Sequence, residues 1–158
     1  MDSPPRGARP LARADVVLVP FSFTDLSSTK RRPAIVVAVD RVHSDLVLAF
    51  VSSQQIGRGE LGDVSLLPGH PEFSLTGLTV PSKVRTGKLV TLSMTMVRRW
   101  LGRLGPLLIG ELDRALVLTL EINTVMYREE GRRTERARLV TLHGAGGPGA
   151  VLSDLGVS

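Results

Sequence analysis

Residues 15–37 read DVVLVPFSFTDLSSTKRRPAIVV. Asp15 to Phe23 alternates and is rich in β-branched and aromatic residues, so it reads as a strand that ends in aromatics. A polar loop, Thr24 to Arg32, follows and closes on the cations Lys30, Arg31 and Arg32. Pro33 then opens a second apolar strand to Val39, since proline is tolerated at a first strand position. Phe21 and Phe23 flank Ser22 and so share a face of the first strand. Rings beside cations at a sheet edge suit a phosphodiester chain, because unpaired bases stack on one and phosphates meet the other. The core competes for these rings, and at least one is expected there.

Further strands follow outward from this stretch. Ser44 to Ser53 reads as a third strand, and Gln54 to Gly62 as a Gly-rich, mobile loop. Asp63 to Leu67 is a short strand. Leu78 to Pro81 and Lys83 to Leu92 read as two more, broken near Ser82. Met96 to Leu104 is a last strand or an irregular basic segment. Gly105 and Pro106 mark a change to a helix over roughly Pro106 to Met126, with a buried stripe of Leu108, Leu112, Ala115, Leu116 and Thr119. Many short strands and one helix predict a mainly β fold, a small, strongly bent antiparallel barrel with the helix packed on it. Residues 1–13 are expected as a flexible basic arm, 14–127 as the folded domain, and 128–158 as a charged, Gly-rich, mobile extension. The GAGGPG run at 144–149 follows no strand and opens no helix, so it reads as tail and not as a phosphate loop.

Composition narrows the function. The 158 residues allow one domain with a real core. No apolar run approaches a membrane span, and the basic N-terminus lacks the apolar stretch of a secretory signal, which together point to the cytoplasm. There is no Cys, and His43, His70 and His143 lack metal-ligand spacing, so no metal or cofactor is expected. The net charge is +5, and its distribution matters more. No acid occurs between Glu72 and Glu111, a span that holds Lys83, Arg85, Lys88, Arg98, Arg99 and Arg103. Local positive fields of this kind favour polyanions, with a solvated basic face as the plain alternative.

Four pieces in order, residues 15–37 together with LVLAFVSSQ (46–54), TGLTVPSKVRTGKLVTL (76–92) and VRRWLGRLG (97–105), resemble the MazF/PemK family of toxin endoribonucleases. The match covers about residues 14–126. The resemblance implies an SH3-like barrel with a C-terminal helix, a homodimer, and metal-free cleavage of single-stranded RNA. It also implies a partner antitoxin, with DNA binding only through the antitoxin complex. A basic RNA groove also accepts an extended acidic peptide, so the inhibitory segment of the antitoxin is expected to be acidic. The alternative is a non-cleaving binding protein on the same barrel, either a gyrase inhibitor of the CcdB type or a family member that only binds RNA or antitoxin.

The resemblance also assigns residues. Arg32 matches the catalytic Arg before Pro, whose planar fork grips two phosphate oxygens. Ser52 stands where many members carry Thr and keeps a hydroxyl donor. Arg85, in VRTGKL, matches a catalytic Arg of some members. These members carry a carboxylate base two residues on, where this chain has Gly87. Lys30, Arg31, Phe21, Phe23, Ser53, Lys83 and Lys88 are the expected RNA contacts. Asp25 is read as a turn cap rather than as the missing base.

Overall fold

The computed structural model describes residues 9–21, 30–122, 124–127 and 138–141, the last two stretches as backbone only. Its main unit is a six-stranded antiparallel sheet of order β4-β5-β3-β2-β1-β6. The strands are β1 (Asp15–Phe21), β2 (Lys30–Asp40), β3 (Asp45–Ser52), β4 (Asp63–Leu66), β5 (Ser82–Ser93) and β6 (Arg99–Arg103). One helix, α1 (Pro106–Thr119), follows. Register breaks at Val16/Val17 in β1, Val36/Ala38 in β2 and Ala49/Phe50 in β3 bend the strands. Bulges raise local twist, which curls the sheet into a half-barrel with β4 and β6 as its edges.

The curl gives the sheet two apolar faces. Val16, Ile35, Ala49, Val51, Val64 and Val84 pack with Leu108, Leu112, Ala115 and Leu116 of α1. Val17, Val19, Ala34, Val36, Leu46, Leu48 and Phe50 form a second cluster on the face away from α1. Neighbouring residues thus point into different cores, which is why β1 and β2 read as nearly unbroken apolar runs.

The helix is docked through its first turn. The Glu72 carboxylate accepts the Leu107 N–H at 3.0 Å and the Leu108 N–H at 2.9 Å. Those N–H groups lack partners inside the helix, and a negative charge there also opposes the helix dipole favourably. Gly105 makes room, because a Cβ at that position would lie 2.3 Å from the Glu72 carboxyl carbon. The short 3-10 turn Phe73–Thr76 that follows Glu72 lies on β6, where a Cβ on Gly102 would meet the Leu75 carbonyl oxygen at 2.3 Å. One residue farther along β6, opposite Arg103, Asp15 is fully buried and accepts from Arg9 at 3.0 Å, Arg103 at 3.2 Å and the Ala12 N–H at 2.8 Å.

Several expectations change. Strand β2 begins at Lys30 and not at Pro33, so the three cations are strand residues. Pro33 is accommodated because β2 pairs there with β1 alone; its ladder with β3 starts at Ala34. No strand forms at 78–81. The helix stops at Thr119, well before Met126, because Glu121 takes a left-handed φ of 52° that a helix cannot continue through. Residues 121–158 form a separate unit, in which β7 (Thr124–Tyr127) pairs antiparallel with β8 (Arg138–Thr141). Of the arm, residues 9–13 are docked: Arg9 also lies over Trp100 at 5.1 Å, and Arg13 bonds the Val37 carbonyl and Asp113. Residues 1–8 and most of the expected extension, GAGGPG included, lie outside the described residues.

Glu72→Ala is expected to lower stability by about 1–2 kcal/mol, the usual scale for a lost helix cap. Gly105→Ala should destabilise the wild type but cost clearly less in the Glu72→Ala background. Urea unfolding of the four proteins checks this; strictly additive effects would mean that the two residues do not meet.

Candidate active site

The site follows from register. Ala34 of β2 faces Phe50 of β3, and Phe50 faces Arg85 of β5, so three neighbouring strands share one row. Side chains alternate along a strand, which sets Arg32 and Ser52 on the next row of the same face. There the second apolar cluster ends, and Arg32, Phe50, Val51, Ser52, Arg85 and Lys88 line a cavity of about 280 Å³. The three residues expected to be catalytic therefore meet at one place.

Each is held by its surroundings. The Ser52 Oγ accepts the Gln54 N–H at 3.1 Å, which leaves the hydroxyl proton free to donate into the cavity. Arg85 donates from Nη2 to Glu60 Oε2 at 2.8 Å. Beyond Arg85 the ladder jumps: Phe50 pairs with Arg85 but Ala49 pairs with Leu89, so Thr86, Gly87 and Lys88 bulge out of β5. Thr86 pins this bulge, donating to the Gly62 carbonyl at 2.5 Å beside Thr119 Oγ1 at 2.6 Å. The bulge turns Lys88 to the surface at the cavity. Gly87 is exposed, and a Cβ there would meet only Thr119 Cγ2 at 3.9 Å, so packing does not require glycine.

Residues of the opposite parity open on the other side of the strand ends. Arg31, Pro33, Val51 and Ser53, joined by Lys30 at the start of β2, line a larger cavity of about 710 Å³, closed by residues 77–80, Ser82, Arg99 and Leu101. Arg32 lines both cavities. Arg99 of β6 is a cation not assigned to the site from the sequence; its signals there were the acid-free span and the VRRWLGRLG piece that contains it. Phe50 was missed too, because it reads as core. It is 5% exposed, with Phe21 edge-on to it at 4.0 Å between ring centroids. Phe21 is thus tied to the second core cluster.

Lys83 needs correcting. It is 4% exposed, and its ammonium pairs with Asp63 at 2.9 Å and donates to the Arg58 carbonyl at 2.9 Å. Its charge is spent on closing the 54–62 loop onto β5, so it is not placed as an RNA contact. The same contacts, with Arg85–Glu60 and Thr86–Gly62, tie down a loop expected to be mobile. Phe23, Asp25 and His143 lie outside the described residues. His70 lies 3.6 Å from Glu111, away from both cavities. His43 sits in the β2–β3 turn, where its side chain, then its N–H and that of Val42, hold the Asp40 carboxyl below the usual value. That turn's contribution is complete above the ordinary carboxylate range and is lost as pH falls through the lowered value.

Residues 12–120 match the PemK-like, MazF-like toxins of type II toxin–antitoxin systems. The chain belongs to that family. The toxin is accordingly of the endoribonuclease, or mRNA interferase, kind. Among solved structures it is similar to a mycobacterial endoribonuclease in complex with its cognate antitoxin, at 20% identity and TM-score 0.54, covering 73% of this chain and 98% of that one. Mycobacterium tuberculosis toxin MazF-mt6 follows at 18% identity and TM-score 0.54, covering 69% and 98%. A MazE–MazF structure from Deinococcus radiodurans has 21% identity and TM-score 0.51, covering 66% and 91%. At such identities the likeness is one of fold. Among curated proteins nothing matches the chain.

Lys83→Ala should cost the toxin about 3–5 kcal/mol, the scale for orphaning a buried partner, without changing the salt dependence of RNA binding. Lys88→Ala should leave stability alone and reduce the salt slope by about 0.7. Thermal unfolding and binding titrations at several salt concentrations separate the two. The reverse pattern would contradict the placement of both lysines.

Proposed function

We propose that the toxin cleaves single-stranded RNA at preferred sequences, without a metal ion, by attack of a ribose 2′-hydroxyl on the adjacent phosphorus. The observation that carries this reading is the convergence of Arg32, Ser52 and Arg85 on one small cavity from three neighbouring strands. Arg32 and Arg85 bring guanidinium forks to a phosphate, and Ser52 adds a hydroxyl donor. Donors fixed before reaction and aimed at developing charge supply the largest catalytic term in most enzymes. As the new 2′-oxygen–phosphorus bond forms, the phosphorus–5′-oxygen bond breaks. The proton of the 2′-hydroxyl passes to a base, and the leaving oxygen takes one from Arg32 or from water.

Lys88 on one side, and Lys30, Arg31, Ser53 and Arg99 on the other, would follow the flanking phosphates, with Arg32 common to both cavities. Phe50, held by the edge-on ring of Phe21, would give a base in the small cavity an apolar surface to rest against. An RNA substrate implies action in the cytoplasm; among the described residues no helix is long and apolar enough to cross a membrane. A cation-rich cleft would also accept an acidic segment of a cognate antitoxin, and relatives of this fold have been solved with antitoxin bound. A homodimer follows from the same family reading.

The test is incubation of the pure toxin with a long single-stranded transcript in EDTA, followed by mapping of the fragment ends. Discrete cuts are expected, slowed about 10²–10³-fold in Arg32→Ala, the scale for one lost transition-state donor. Equal cutting by a folded Arg32→Ala protein would remove Arg32 from the site. With about five phosphate contacts, RNA affinity should fall on the order of 100-fold between ~50 and ~200 mM salt.

A further inference from the structure

Among the described residues, the small cavity can grip a phosphate but holds no group to take the 2′-hydroxyl proton. The two guanidiniums and the Lys88 ammonium are cations that can only donate, and the Ser52 hydroxyl is too weakly basic to keep a proton. The position where a carboxylate base could have been expected holds Gly87. Elsewhere, Asp15 and Glu72 are buried against Arg103 and the helix N-terminus, and Asp63 faces Lys83. Among the described residues, one carboxylate touches a side chain of the small cavity: Glu60, through Arg85 at 2.8 Å.

We propose that Glu60 is the general base of this cleavage. The inference rests on the ribonuclease reading and completes it. Three features of the loop support it. First, Glu60 lies between two anchors on β5: the Arg58 carbonyl accepts from Lys83 Nζ at 2.9 Å and the Gly62 carbonyl accepts from Thr86 at 2.5 Å. The Asp63 N–H closes a turn on the Glu60 carbonyl at 3.0 Å. A loop fixed on both sides of a residue presents it in a set position, which catalysis by proton transfer needs. Second, only Oε2 is engaged by Arg85; Oε1 makes no hydrogen bond among the described residues and is free to accept. Third, the Glu60 side chain is 55% exposed, so a proton it collects can leave to water.

The geometry also fits the substrate. A 2′-hydroxyl lies next to the phosphate that it attacks. A carboxylate bonded to the guanidinium that grips that phosphate is therefore brought beside the hydroxyl. Glu60 takes the proton of the 2′-hydroxyl as its oxygen bonds to phosphorus. The 5′-oxygen departs with a proton from Arg32 or water, leaving a 2′,3′-cyclic phosphate and a 5′-hydroxyl. Glu60 then returns its proton to solvent and Arg32, where it was the donor, takes one back from water, so protons and charge balance over the cycle.

The competing role for Glu60 is that of a stand-in anion that covers Arg85 until RNA displaces it. The two roles predict opposite effects. The experiment uses the full chain in EDTA and an RNA oligonucleotide holding a cut site mapped on the long transcript. Single-turnover rates are read across a pH series for wild type, Glu60→Gln and Glu60→Asp. Binding is read with the same oligonucleotide lacking the 2′-hydroxyl at the cut. Glu60→Gln should lower the rate about 10²–10⁴-fold, the span for a lost general base. It should also lose the rise in rate with pH on the acid side, and bind the uncut analogue as tightly as wild type or more so. Glu60→Asp, which keeps a carboxylate, should retain part of the rate and that acid limb. Wild-type or faster cutting by Glu60→Gln would overturn the proposal in favour of the stand-in role. A loss of rate matched by an equal loss of binding, with the pH profile unchanged, would reduce Glu60 to a positioning residue for Arg85. In both cases a wild-type toxin that cuts leaves the ribonuclease reading standing. A wild-type toxin that does not cut overturns that reading and the role of Glu60 with it.

Discussion

The register between β2, β3 and β5 is the constraint on which the rest depends. A slip of one residue between β2 and β3 would carry Arg32 to the face covered by α1 and bring Arg31 to the opposite face. The slip is opposed by burial on both faces, since it would also exchange Ala34 and Val36 with Ile35 between the two cores. The break at Ala49/Phe50 is part of the same design. It lets β5 supply Arg85 to the row of Phe50 and then swing Lys88 outward, so that two cations from one strand reach one cavity. Thr86, fully buried between Gly62 and Thr119, couples that bulge to both the 54–62 loop and the end of α1.

Charge is divided between structure and substrate. Of the six cations in the acid-free span 73–110, Lys83 is consumed inside by Asp63, and Arg103 bonds the buried Asp15. Arg85, Lys88 and Arg99 line cavities. Glu72, which borders the span in sequence, contributes no negative charge at the site, because it is spent on the first turn of α1. The concentration of positive charge at the strand ends thus owes as much to where the acids are engaged as to the number of cations.

Much of this was legible in the chain. The stripe of Leu108, Leu112, Ala115 and Leu116 marked the buried helix face directly, because period and burial coincide there, whereas β1 was legible as a strand from its β-branched residues although both its faces are buried. The ordered motifs singled out Arg32, Ser52 and Arg85, which the fold brings to one cavity. What stayed hidden depends on contacts distant in sequence. A buried lysine and a surface lysine look alike in a basic run, and only Asp63 across the β4–β5 ladder distinguishes Lys83. The helix end is set by a left-handed Glu121 that the apolar pattern does not announce. Glu60 sits in a Gly-rich loop with no motif, and it gains meaning only once the fold brings it onto Arg85, 25 residues away.

The central claim is that one phosphate is held jointly by Arg32, Ser52 and Arg85. The most direct measurement is a crystal structure of the toxin with an RNA made uncleavable by removing the 2′-hydroxyl at the mapped cut. The phosphate at the cut is predicted to lie within hydrogen-bond distance of all three side chains, with flanking phosphates toward Lys88 on one side and Arg31 and Arg99 on the other. A scissile phosphate bound elsewhere, with the small cavity empty, would contradict the account.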